Sequence, residues 1–270
     1  MDSPNSLRNT VKDKLARGEP VFSMSVRLVR SIEIASIART AGFDSIYIDL
    51  EHNSFSLDTA GQICMACLPL GIAPFVRVPS REPHFIARVL DAGALGIIAP
   101  HLHTAEDARA IVRAAKYPPV GDRSLAGMLP QLQFRTLPAA VANRQLNDAT
   151  MVIAMIESDE GLAVVEEIAA VEGVDVLFIG TNDLCNALGI PGELDDELVR
   201  GAYQRTWDAC RAHGKALGVG GLSSRPDIVR RYIELGARYV SVGTDISFLA
   251  GAAALKRQQM SSDGSTNVPV

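Results

Sequence analysis

Two carboxylates, Glu157 and Asp183, each stand where a short apolar run gives way to polar sequence, in MVIAMIE and in VLFIGTND. An ionised carboxylate at the end of a buried run is costly unless a cation meets it. Two of them reaching one point, with water and substrate oxygens completing an octahedron, suit a hard divalent metal such as Mg²⁺ or Mn²⁺. The alternative, for each taken alone, is that it caps the helix that follows. His52, in DLEH, is of the type that titrates near neutrality and is a candidate general base. Arg77, inside PFVRV, needs an anion: the developing charge of an enolate, or a structural partner such as Asp49 or Asp44. Backbone N–H groups over Gly180, Thr181, Asn182 and Asp183, where a helix begins, could hold a substrate carboxylate. His101 and His103 end a further apolar run, while His84 and His213 fall in helical or surface sequence; none of these four is assigned a role.

These residues need a scaffold that gathers strand ends at one place. Short apolar runs recur at 21–26, 45–50, 74–78, 96–100, 151–157, 176–180, 216–221 and 239–244. Segments such as SIEIASIARTAG and RPDIVRRYIELGA lie between them, with apolar residues at three- and four-residue intervals, as an amphipathic helix requires. Nearly unbroken apolar strands are buried on both faces, which points to a parallel sheet. Eight strand–helix units close into a (β/α)₈ TIM barrel, whose active sites lie at the carboxyl ends of the strands. An open doubly wound sheet would carry G-x-G-x-x-G after its first strand, and that motif is absent. The glycines after the seventh and eighth strands either form a phosphate site or allow close backbone packing. Asp245 beside them favours packing, because it would repel a phosphate.

A single barrel domain over 1–257 is expected, with an amphipathic helix in its first 20 residues and a disordered polar tail over 258–270. Residues 117–150 break the strand–helix rhythm, and long excursions of this kind are functional or mobile. A net charge of −5 with both signs interspersed leaves no footprint for nucleic acid. No apolar run reaches membrane-spanning length. The four cysteines offer no disulfide framework, which points to a reducing, cytoplasmic compartment. Cys64 and Cys67 form a C-x-x-C, but they lie within a helical apolar pattern and read as packing.

Taken in order, AGFDSIYIDLEHNSFS, FVRVPS, ARVLDAGALGIIAPHLHTAEDA, KYPPVGDRS, MIES and VDVLFIGTNDLCNALG resemble the HpcH/HpaI aldolase family over roughly residues 20–250. The resemblance implies a class II, metal-dependent carbon–carbon lyase of 4-hydroxy-2-oxo acids. Relatives include 2-oxo-3-deoxy sugar-acid aldolases and macrophomate synthase. It assigns Glu157 and Asp183 to a divalent cation (Mg²⁺, Mn²⁺ or Co²⁺) and His52 to the base. Asp49 and Asp91 would orient that base, Arg77 would stabilise the transition state, and the backbone at Thr181 and Asn182 would hold the pyruvate carboxylate. The partners implied are pyruvate, an aldehyde and further copies of the chain, as a hexamer or trimer. Cleavage would remove the C4 hydroxyl proton, break C3–C4 and leave a pyruvate enolate. No lysine lies in the strand segments, which independently disfavours Schiff-base chemistry.

Five positions depart from the family pattern. Met24 and Val26 stand in MSV where members usually show Gly-x-Trp, Asn53 replaces the glycine of EHG, Met155 replaces a glutamine, and Thr181 replaces the proline of G-P-x-D. All five are expected to line the pocket and to bear on substrate choice. Two other readings stay open: a decarboxylase or synthase acting on oxaloacetate-like substrates, and a barrel that binds without turnover.

Overall fold

The computed structural model describes residues 7–261. Eight parallel strands close in sequence order into one barrel: β1 Val21–Val26, β2 Ser45–Asp49, β3 Ala73–Arg77, β4 Gly96–Ala99, β5 Met151–Ile156, β6 Val176–Gly180, β7 Ala216–Gly220 and β8 Tyr239–Thr244. The helices are α1 Thr10–Ala16, α2 Glu33–Thr40, α3 Leu57–Cys67, α4 Pro83–Asp91, α5 Ala105–Ala115, α6 Ala139–Ala149, α7 Asp159–Ala163, α8 Val165–Ala169, α9 Thr181–Ala187, α10 Glu197–His213, α11 Pro226–Leu235 and α12 Asp245–Met260. Their starts are fixed locally. Ser56, Ser158 and Asp196 accept backbone N–H groups at the heads of α3, α7 and α10, and Thr104 with Asp107 forms a capping box on α5.

Alternate strand residues face outward, where Ile46, Ile48, Val76, Ile97, Val152, Leu177 and Val219 meet the helices in one continuous apolar layer. The other set fills the barrel with Tyr47, Phe75, Ile153, Met155, Phe178 and Tyr239. Phe75 and Phe178 meet the Tyr239 ring edge-on at 6.0 and 5.7 Å. Gly218 and Gly220 make room for Phe178: a Cβ on either would fall against its ring. Close packing therefore accounts for Gly220 and, where a Cβ would meet the Phe248 ring, for Gly243, the packing expected of the glycines ending these strands.

Helix α1 closes the amino end of the barrel. Val11 is fully buried there, and the Asn9 amide donates to the carbonyls of Ala149 (2.8 Å) and Leu95 (3.4 Å). The 117–150 excursion also packs at this end. Tyr117, Leu129, Leu132, Ala142 and Leu146 form a small core of their own, and the Gln131 amide donates to Leu90 and Ala94 carbonyls at 2.6 and 2.8 Å. The excursion is thus packed structure that carries α6. At the other terminus α12 continues to Met260, so Gln258, Gln259 and Met260, expected in a disordered tail, form its last turn; 262–270 lie outside the described residues. Among the described residues no helix is long and apolar enough to cross a membrane.

Candidate active site

The carboxyl ends of the strands surround a cavity of about 220 Å³ lined by Ser25, Arg27, Tyr47, His52, Arg77, Met155, Phe178, Gly180, Asn182, Asp183 and the glycines after β7, among others. Buried parallel strands deliver polar side chains to this rim because each strand turns polar as it leaves the core.

Asp49, the last residue of β2, is wholly buried. It pairs with Arg77, the last residue of β3, through Nε to Oδ1 (3.0 Å) and Nη2 to Oδ2 (2.6 Å). The strand register sets these two residues side by side. Asp49 Oδ1 also accepts the backbone N–H groups of Glu51 (3.0 Å) and His52 (3.2 Å), and Arg27 Nε lies 3.2 Å from Oδ2. Burial pushes the Asp49 carboxyl up, but the Arg77 hydrogen bonds and charge outweigh it and hold the group below the usual range. Arg77 Nη1 lies 3.1 Å from Glu51 Oε2, and the guanidinium still reaches the cavity wall.

Asp49 therefore fixes the His52 backbone and the Arg77 fork; it does not touch the His52 imidazole. That ring is half-exposed, with Nε2 3.6 Å from Glu51 Oε2. Asp91 does not support the base of its own chain either. It ends α4, at the amino end of the barrel, and its carboxylate meets Arg123 Nη2 at 2.6 Å. A helix returning from the rim to the start of β4 must finish on the side of the barrel away from the mouth, so Asp91 and His52 of one chain cannot meet.

Glu157 follows β5 and is buried, with Asp183 in the first turn of α9 beside it. Burial raises the Glu157 carboxyl above its ordinary value; His101 opposes this, and the charges of Glu51 and Asp183 add to it. Gly180 leaves the space that the Glu157 carboxylate occupies, since a Cβ there would lie 2.7 Å from Oε2. Two carboxylates close enough to repel, one of them buried, fit a divalent cation. Among the described residues no group of three or more His, Cys, Asp or Glu side chains forms a cage. A hard divalent cation needs only one or two carboxylates when water or substrate oxygens complete its octahedron.

His101, assigned no role from sequence, proves central to this rim. Its Nε2 lies 2.8 Å from Glu51 Oε1 and its Nδ1 3.0 Å from Glu157 Oε1. Its left-handed backbone, φ 55°, turns its N–H onto the same Glu157 oxygen at 2.7 Å. Asp245 accepts backbone N–H groups of Arg27, Leu28, Val29 and Ile246 at 2.8–2.9 Å, so it organises the loop after β1.

Of the five departures only Met155 lines the cavity. Met24 and Val26 face the outer apolar layer. Asn53 turns its Oδ1 to the Phe55 N–H at 2.7 Å. The Thr181 side chain is buried away from the mouth, donating to the Gly220 carbonyl at 2.6 Å and lying 2.8 Å from the Tyr203 hydroxyl. The Thr181 and Asn182 N–H groups lie beside Gly221, which has φ 79° and no side chain to cover them.

Comparison with known proteins agrees with this geometry. Residues 28–252 match the HpcH/HpaI aldolase/citrate lyase family. The 4-hydroxy-4-methyl-2-oxoglutarate aldolase tasA of Hapsidospora irregularis is 40% identical over 248 residues, 90% of this chain and 91% of that protein. The hydroxypyruvate/pyruvate aldolase of Delftia acidovorans is 36% identical over 91% of this chain and 90% of its own length. The crystal structure of the HpcH/HpaI aldolase from Desulfitobacterium hafniense superposes with a TM-score of 0.88 at 28% identity, covering 95% of this chain and 98% of that one. The chain belongs to the HpcH/HpaI aldolase/citrate lyase family and is an aldolase, a carbon–carbon lyase on a (β/α)₈ barrel.

Proposed function

We propose that this aldolase cleaves and forms 4-hydroxy-2-oxo acids, with pyruvate as the 2-oxo acid product, at the cavity lined by Asp183, Arg77 and His52, with Glu157 beside Asp183. The observation that carries this is that Asp183, with the buried Glu157 beside it, and the Arg77 guanidinium fixed by Asp49 stand around one small cavity. The relatives tasA and the Delftia enzyme are named for substrates of this kind.

Glu157 and Asp183 would hold a divalent cation, Mg²⁺, Mn²⁺ or Co²⁺, which when bound supplies Lewis acidity toward the 2-oxo acid. The N–H groups of Thr181 and Asn182, at the start of α9, would donate to the substrate carboxylate. His52 takes the proton of the C4 hydroxyl as the C3–C4 bond breaks. C4 becomes the carbonyl of the leaving product, and the bonding pair stays on C3 as the enolate of pyruvate. Asp49 and Glu51 hold the Arg77 guanidinium in place at the cavity wall, so its charge meets the enolate oxygen without reorganisation. A proton delivered to C3 completes pyruvate.

The test is pyruvate release from 4-hydroxy-2-oxo acids before and after EDTA, with each cation added back. Full activity after chelation, or in Glu157→Gln and Asp183→Asn variants, would exclude this site. Oxaloacetate decarboxylation in the same preparation identifies the alternative source of the enolate: if it alone is fast, the protein is a decarboxylase.

A further inference from the structure

The chemistry above occupies the carboxyl end of the barrel, and a second cavity, of about 400 Å³, opens at the amino end. Three neighbouring strands deliver charge to it. Asp175, Lys215 and Arg238 each stand one residue before a strand, β6, β7 and β8 in turn. Helix α1, which closes this end, adds Lys12. The cavity wall thus carries three cations and one carboxylate.

That carboxylate is already engaged. Asp175 Oδ1 lies 3.0 Å from Lys12 Nζ, and Oδ2 accepts the Val152 N–H at 2.9 Å. Lys215 and Arg238 meet no carboxylate among the described residues, only neutral carbonyls. Lys215 Nζ donates to Val171 at 3.2 Å. Arg238 donates through Nε to Gly18 at 2.7 Å and through Nη1 to Ile233 and Ala237, each at 2.8 Å. Its Nη2 has no acceptor among the described residues. Carbonyls aim a guanidinium without neutralising it, so its charge stays available to an anion.

The remainder of the wall is largely apolar. Leu15, Met151 and Ala216 line it, together with Trp207 of α10, the one tryptophan in the chain. Gly236 makes room for this indole, because a Cβ there would fall 2.4 Å from Cζ2. The indole N–H has no acceptor among the described residues. An aromatic ring and an apolar wall beside two cations without counter-charge suit a ligand with an apolar ring and an anionic end.

We propose that this amino-end cavity is a second binding site, for a small organic carboxylate with a flat apolar body. Lys215 and Arg238 take the carboxylate, and Trp207 takes the body. The ligand lies at the opposite end of the barrel from the aldol chemistry, so its binding needs neither the cation nor the 2-oxo acid.

Trp207 makes the test local. Benzoate and benzyl alcohol share a ring and differ in charge, while acetate carries the charge without the ring. Titrated at constant ionic strength, the tryptophan emission should change saturably with benzoate and with neither control over the same range. Lys215→Gln gives up a single bond to a carbonyl and should weaken benzoate roughly 10-fold, and Lys215→Arg should restore it. Arg238→Gln should weaken it as well, but it also loses three carbonyl bonds, so the Lys215 variants carry the decision. No emission change, a change linear in benzoate, one that either control reproduces, or one that Lys215→Gln leaves intact overturns the site.

Discussion

Arg77 and Asp49 meet as two parallel forks, Nε on Oδ1 at 3.0 Å and Nη2 on Oδ2 at 2.6 Å, with the carboxylate wholly buried. Removing one partner of such a pair strands a charge and costs on the order of 3 kcal/mol. Asp49→Asn should lose about that much stability at pH 7 and also misplace the Arg77 fork. The folded Asp49 carboxyl lies below its unfolded value. Its contribution is therefore complete above the unfolded value and is lost as the pH falls through the folded one. Urea titrations stepped from pH 7 to pH 3 should show the gap between wild type and variant closing below about pH 4. A gap that stays constant would mean the pair contributes nothing through its charge.

Gly180 predicts a separation of metal affinity from stability. An alanine Cβ would lie 2.7 Å from Glu157 Oε2 and 3.1 Å from Glu157 Cβ and Met155 Cε, so the carboxylate is displaced most and its neighbours give by a few tenths of an ångström. Gly180→Ala should unfold close to the wild-type urea midpoint yet bind Mn²⁺ on the order of 10- to 100-fold more weakly, as displaced ligand geometry generally does. Calorimetric titration of Mn²⁺ measures this directly. Unchanged affinity would remove Glu157 from the cation site.

Lys116 carries a different pH signature. It is buried between the carbonyls of Asn147 (2.6 Å) and Thr150 (2.5 Å), and burial pulls its ammonium down to about 8, partly offset by Asp175. The unfolded chain holds that proton until about 10.4, so the cost of burying the charge is complete below pH 8 and relieved as the pH rises toward 10. Lys116→Met removes the titration. The stability of wild type relative to this variant should therefore grow by roughly 2 kcal/mol between pH 7 and pH 10. A difference that is flat with pH would show that the ammonium is not desolvated in the fold.

The strands were legible because each is a short apolar run with a polar end. All eight were placed, with at most one residue of difference at either end. Glu157 and Asp183 stand out in the sequence for the same reason, each where such a run stops. What stayed hidden depends on closure. His101 meets Glu51 and Glu157, which are 50 and 56 residues away, and no local spacing announces that. Arg27 stands just past β1, and only the pairing of β1 with β2 brings it to Asp49 and the His52 carbonyl. The motif alone points Asp91 to the base, and the direction of α4 carries it away from the base of its own chain. Helix α6 was passed over because AAVANRQLNDA buries only Ala142, Leu146 and Ala149.

Met155 and Thr181 both depart from the family pattern, yet they should behave as different kinds of position. Met155 lines the cavity with a buried thioether, so Met155→Gln puts an amide against the ligand and should alter the ratio of kcat/KM between two hydroxy acids. Thr181 turns its hydroxyl away from the mouth, onto the Gly220 carbonyl and the Tyr203 hydroxyl. Thr181→Val keeps the shape but strips both buried partners, which costs about 1–3 kcal/mol. The same substrate pair should give the wild-type ratio in Thr181→Val, with the loss confined to its unfolding midpoint. Measuring both variants with both substrates separates the two positions. If Thr181→Val shifts the ratio, its hydroxyl bears on the ligand, and the division drawn here between cavity wall and strand packing is wrong.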